Sequence, residues 1–113
     1  MKRREFLITA NFERNLDGLE SFRTEHPSGF VRLLERLDAE TLPLLRGQPG
    51  VGRLHAQGQQ ASGIIENIRL RLGGGVLREI LVGEYVVLYL VGEKRLALMS
   101  IRQGRELDFD FGD

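Results

Sequence analysis

Leu77-Arg78-Glu79-Ile80-Leu81-Val82-Gly83-Glu84-Tyr85-Val86-Val87-Leu88-Tyr89-Leu90-Val91-Gly92-Glu93-Lys94-Arg95-Leu96-Ala97-Leu98-Met99-Ser100-Ile101 is the stretch that decides the fold. Three short apolar runs are separated by two Gly-Glu pairs. Runs of this length, rich in β-branched and aromatic residues and punctuated by turn residues, predict a β-meander. Strands are expected near Val76–Val82, Tyr85–Val91 and Arg95–Arg102. Gly83 and Gly92 are read as the positive-φ positions that tight hairpins require. The middle run is apolar at almost every position, which predicts a central strand covered on both faces. Arg102-Gln103-Gly104-Arg105-Glu106 follows at once, so the last strand carries two arginines to the end of the sheet.

Upstream, Glu5 to Thr9 reads as a short strand, with the Thr9 hydroxyl able to cap a following helix. Phe12, Leu16, Leu19 and Phe22 recur at helical spacing, with Arg14, Asp17, Glu20 and Arg23 off the stripe. His26-Pro27 ends that helix, because a residue before proline avoids the helical region. Ser28 can cap a second helix whose stripe is Phe30, Leu33, Leu34 and Leu37. Pro43 predicts a stop or kink near Glu40, with one more turn through Leu45. The pair is expected to form an antiparallel hairpin on one face of the sheet.

Gly47 to Gly63 is dominated by glycine, proline and glutamine and reads as a long surface loop. Ile64, Ile65, Ile68 and Leu72 fit a third helix, capped by Ser62 and closed by Gly73. The alternation from Ile68 to Leu72 fits a strand equally, and the pattern leaves that choice open. Gly73-Gly74-Gly75 is a hinge into the meander. The tail Leu107-Asp108-Phe109-Asp110-Phe111 alternates strictly and predicts a short edge strand with one apolar face. The fold class expected is α+β, in a single domain over residues 1–113: a strand, a helical hairpin and a mainly antiparallel meander.

A chain of 113 residues suffices for one core. The basic start Met1–Arg4 is followed by an apolar run too short for an export signal, and no stretch approaches a membrane span, so a cytoplasmic location is expected. The absence of cysteine excludes disulfides, thiolate metal sites and cysteine nucleophiles. Sixteen basic residues balance sixteen acidic ones, so a broad electrostatic grip on nucleic acid is not expected. Neutrality also favours association with a partner, and a homodimer is compatible with it.

The candidate sites divide by the context their chemistry needs. Gly47-Gln48-Pro49-Gly50-Val51-Gly52 lacks the strand, helix and Lys-Ser/Thr of a phosphate loop. His26 and His55 lie in separate loops without clustered carboxylates, so surface histidines are expected and no metal or other cofactor. No serine sits on a nucleophile elbow, and Ser100 reads as a packed strand hydroxyl. Asp108 and Asp110 read as a solvated edge. Tyr85 and Tyr89 share a strand face, and Tyr89 reads as core. Arg78, Arg102 and Arg105 are the main candidates, since adjacent antiparallel strands can bring them together as planar forks for phosphate or carboxylate. Their plain alternative is pairing with Glu79, Glu84 or Glu106.

The order strand, helical hairpin, R-E-x-L-V-x-x-Y-V-V-L-Y-x-V, L-x-L-x-S-I-R-x-G-R resembles the RelE/ParE toxin superfamily of bacterial type II toxin–antitoxin systems. The residues that carry the resemblance are Arg78, Glu79, Tyr85, Val86, Val87, Leu88, Tyr89, Val91, Ser100, Ile101, Arg102, Gly104 and Arg105, with Pro49 and Gly52-Arg53 echoing a motif after the hairpin. The resemblance implies a growth inhibitor of the plasmid-stabilisation kind, silenced by a cognate antitoxin. Its RelE side cleaves mRNA on the ribosome, and its ParE side acts on DNA gyrase. Val86 stands where RelE has a strand arginine, and Gln103 stands where many relatives have histidine. Glutamine carries no proton at neutral pH, so histidine-type acid–base chemistry at that position is lost. The ParE side is therefore expected, with Arg78, Arg102, Gln103 and Arg105 binding the target and Leu107, Phe109 and Phe111 binding the antitoxin. The alternatives are an mRNA interferase relying on Arg78, Arg102 and Arg105 alone, and a binding module that has lost toxicity.

Overall fold

Three strands run as consecutive hairpins: β3 (Val76–Val82), β4 (Tyr85–Val91) and β5 (Arg95–Gln103). They lie in a computed structural model that describes residues 5–20, 27–55, 63–104 and 109, with side chains omitted for Glu20, residues 27–30 and Ile64. Gly83 takes φ +62° at the first turn. Gly92 does not take a positive φ. Its requirement is one of space, because a Cβ there would lie 3.0 Å from the Arg95 carbonyl oxygen and 3.1 Å from Leu72 Cβ.

β1 (Glu5–Ile8) pairs in parallel with β5, and the sheet order is β1-β5-β4-β3-β2, where β2 is the two-residue strand Arg53–Leu54. The other pairings are antiparallel. β2 corrects the reading of Gly47–Gly63 as loop throughout.

Thr9 caps α1 (Ala10–Glu20) as expected: its Oγ1 accepts the Phe12 N–H at 3.1 Å. α2 spans Pro27–Arg36, so Pro27 opens the helix and Ser28 lies inside it. Proline suits a first turn because its missing N–H has no partner there. The expected kink near Glu40 is a π-helical turn, Leu37–Thr41, which leads into α3 (Leu42–Gly47) with Pro43 in its first turn. The widened turn accommodates a proline that a straight helix would exclude. α4 (Gly63–Arg71) decides the open choice at Ile68–Leu72 for helix. Gly73 and Gly74 close it at φ +77° and +102°.

The sheet is covered on both faces. Phe12, Leu19, Leu33, Leu37 and Leu45 from α1, α2, the π turn and α3 pack on Val82, Val87, Tyr89, Leu96 and Leu98. On the other face, Ile65, Ile68 and Leu72 pack on Leu77, Val86, Leu88, Leu90 and Met99. β4 is buried from Val86 to Leu90, as a central strand should be. The core dominates the fold's stability, since burying each large apolar side chain contributes roughly 1.5–3 kcal/mol.

A bulge shapes the centre of β5. Leu88 faces Ser100 while Tyr89 faces Leu98, which leaves Met99 as the extra residue. Two buried asparagines of α1 serve it: Asn11 Nδ2 donates to the Met99 carbonyl at 2.8 Å, and Asn15 Oδ1 accepts from Ser100 Oγ at 2.6 Å and from the Ile101 N–H at 3.2 Å. Ser100 is therefore the packed hydroxyl expected. No helix among the described residues is long and apolar enough to cross a membrane.

Candidate functional site

The segment Pro49–His55 wraps the outer edge of β3, and successive β3 residues hold it from opposite faces. On the α1–α3 face, Tyr89 is fully buried, and its hydroxyl accepts the Gly52 N–H at 2.9 Å and donates to the Pro49 carbonyl at 2.9 Å. Arg78, the register partner of Tyr89, donates Nη1–H to the Gly52 carbonyl at 2.7 Å. Gly52 has room for no side chain, because a Cβ would lie 2.5 Å from both the Glu79 carbonyl oxygen and the Tyr89 hydroxyl.

On the α4 face, the Glu79 carboxylate is buried and is met by two side chains. Arg53, its register partner, donates Nε–H and Nη2–H to Oε1 at 3.1 and 2.9 Å. His55 Nδ1 lies 2.5 Å from Oε2. An ionised carboxylate can only accept, so the histidine proton sits on Nδ1. Burial pushes the Glu79 carboxyl up, but the hydrogen bonds and charges of His55 and Arg53 outweigh it and leave the group below its ordinary 4.5. The His55 side chain is 16% exposed and the Arg53 side chain 68%. Burial raises the Tyr89 phenol above 10, against the lowering effects of the Gly52 N–H and of Arg78.

Phe109 completes this face. It is buried, edge-on to the His55 ring at 5.8 Å, and it lies beneath the Arg102 guanidinium, 4.7 Å from Cζ to ring centroid. Arg102 Nη1 also donates to the carbonyls of Gln103 and Gly104 at 3.1 and 3.2 Å. Beside the cluster is a cleft of about 290 Å³ lined by Val51, Arg53, Glu79, Ile80, Leu81 and Val86.

Of the expected arginine cluster, Arg78 and Arg102 are described, and the sheet does not bring these two together. Arg78 pairs with Tyr89 on the α1–α3 face, whereas Arg102 pairs with Val86 on the α4 face. The pairing Leu81–Val86–Arg102 also sets Arg78 three residues further along β3, about 10 Å at the rise of a strand. Gln103, next to Arg102 in β5, pairs with Tyr85, and its carbonyl accepts from Arg102 Nη1. Phe109 is not an exposed docking residue, and no strand forms at its position. Arg105, Leu107, Phe111, Asp108, Asp110, Glu106, His26, Phe22, Arg23 and Ser62 lie outside the described residues, as do the side chains of Phe30 and Ile64.

Arg53, His55 and Glu79 are the cluster the sequence reading passed over. One signal was present. Leu77, Glu79 and Leu81 share a strand face, and a carboxylate on a face that is otherwise apolar needs a cationic partner. Nothing local identifies that partner, because β2 is too short to show a period. Among the described residues no group of three or more histidine, cysteine or acidic side chains could hold a metal ion. Comparison with protein-family models, with curated proteins and with solved structures yields no match.

Proposed function

We propose that this chain is the toxin component of a type II toxin–antitoxin system, of the ParE-like kind, and that it acts by binding its target, DNA gyrase being the first to test. The observation that carries binding over hydrolysis is the state of the polar groups. Arg78 holds the Gly52 carbonyl, Arg53 and His55 occupy both oxygens of Glu79, and Arg102 lies on Phe109 and its own turn. A phosphoryl-transfer site needs donors aimed at charge that develops on the substrate, and these donors are committed to the fold.

Binding surface is available beside them. Leu81, Leu54 and Val51 are 69%, 63% and 44% exposed around the β2–β3 margin. β2 pairs only as far as Glu79, so the register turns the backbone groups of Leu81 toward an edge that no described strand covers. An extended antitoxin segment can pair there and cover the apolar margin, in place of the Leu107–Phe111 surface expected from sequence. Purified protein titrated into a gyrase supercoiling assay tests the target. Inhibition near stoichiometry is expected, and full supercoiling at excess toxin rejects gyrase.

One observation favours a second reading, an mRNA interferase. His55, held through Nδ1 by Glu79, presents its other nitrogen for proton transfer in the manner of a carboxylate-oriented base. Its signature is cleavage of ribosome-bound mRNA that disappears in His55→Ala. Intact transcripts during growth arrest reject it.

A further inference from the structure

A second recess lies between α2 and the β3–β4 turn. It has a volume of about 300 Å³ and is lined by Arg32, Leu33, Arg36, Val82, Glu84 and Tyr85, with Gly83 at its mouth. That volume stands at the lower limit of small-molecule pockets, roughly 300–1,000 Å³. We propose that this recess binds a nucleotide, with the phosphate on Arg32 and Arg36 and the base against Tyr85.

Four features support the assignment. Arg32 and Arg36 stand one helical turn apart, so their forks can converge on one group. Neither guanidinium makes a hydrogen bond or ion pair within the described residues, unlike those of Arg53, Arg69, Arg78 and Arg95. Gly83, in the left-handed region, puts no side chain over the site, and a Cβ there would lie 3.6 Å from Arg36 Nη1. Tyr85 is half-buried, with its ring packed on the core and its hydroxyl without a partner among the described residues.

Glu84 decides between ligands. Glu84 lines the recess, and a carboxylate can accept from ribose hydroxyls or a base amine, which inorganic phosphate lacks. Leu33 and Val82 add an apolar floor that inorganic phosphate cannot use. Both arguments favour a nucleotide over phosphate. The inference is independent of the toxin reading, because the recess shares no residue with the Arg53–His55–Glu79 cluster.

Calorimetric titration of the full chain tests it, with 5′-AMP, adenosine, inorganic phosphate and a short single-stranded oligoadenylate as probes. AMP is expected to bind with Kd below about 1 mM, and adenosine and phosphate at least tenfold more weakly. Arg32→Ala/Arg36→Ala should weaken AMP about tenfold or more. Tyr85→Leu, which keeps the apolar packing, should weaken it about fivefold. Much tighter oligoadenylate binding identifies a strand as the ligand, and equal affinity identifies the free nucleotide. No binding of AMP or oligoadenylate by about 5 mM overturns the proposal. So does AMP affinity unchanged in a double arginine variant whose thermal unfolding matches the parent.

Discussion

Arg78 and Glu79 are neighbours in β3, yet they hold one segment from opposite faces of the sheet: Arg78 bonds the Gly52 carbonyl at 2.7 Å and Glu79 bonds Arg53 and His55. Strand alternation makes this possible, since adjacent side chains point to opposite faces. The two side chains thereby fasten the short strand β2 and the residues beside it to the edge of β3.

Removing the Glu79 carboxylate leaves the mostly buried His55 without its acceptor. Glu79→Ala should cost about 2–3 kcal/mol at pH 7, measured by urea unfolding. The folded-state carboxyl lies below 4.5, so the ionised pair stabilises the fold above the unfolded carboxylate range. That advantage is lost as pH falls through the folded value. The stability difference between the parent and Glu79→Gln should therefore shrink below pH 4.5, and a difference that stays constant to pH 3 contradicts the ion pairing.

Tyr89→Phe removes a buried hydroxyl that joins Pro49 to Gly52. A loss of about 1–2 kcal/mol is expected, with faster amide exchange at Gly52 than elsewhere in the sheet. The phenol is raised above 10, so its contribution is complete below the unfolded value and fades as pH rises through the folded one. Phenolate absorbance should show Tyr89 ionising later than an unfolded-chain tyrosine. Ionisation at or below 10 would contradict its burial.

Two glycine substitutions separate space from flexibility. Gly52→Ala places a methyl against backbone and the Tyr89 hydroxyl and should cost about 2–3 kcal/mol. Gly18, in α1 with nothing near its would-be Cβ, should tolerate alanine and gain roughly 0.5–1 kcal/mol. Thermal melts of the two variants check both signs.

The exposed β2–β3 margin distinguishes binding from catalysis. Leu81→Asp should leave the melting temperature within about 3 °C of the parent, since surface changes rarely exceed ±0.5 kcal/mol. The same substitution should weaken gyrase inhibition at least about tenfold, as loss of an interface anchor does. His55→Ala should retain growth inhibition if the cluster is structural. Toxicity abolished by His55→Ala in a folded protein would move the account to the nuclease reading.

Legibility in the sequence followed the range of the interactions. The meander, its central strand and the Thr9 cap were readable because each is set by neighbours in sequence: Gly83 at a turn, an unbroken apolar run, a hydroxyl three residues before the N–H it caps. The π turn was half readable, because Pro43 forbids a straight helix without saying what replaces it. β2 was not, because two residues carry no period and its partner Glu79 is distant in the chain. The same distance hid the Arg53–His55–Glu79 cluster and made His55 look like a surface residue. The bulge at Met99 left no local mark, although Asn11 and Asn15 one turn apart are the polar pair that serves it. Gly92 was misread by analogy with Gly83, since crowding and positive φ both select glycine. Arg78 and Arg102 stand apart for a geometric reason: they belong to opposite parities of the sheet.

Induced expression of the chain in a bacterial host without its antitoxin tests the central claim most directly. The account predicts growth arrest by soluble, folded protein, with cellular transcripts left intact. Normal growth at the same level of soluble protein would contradict it.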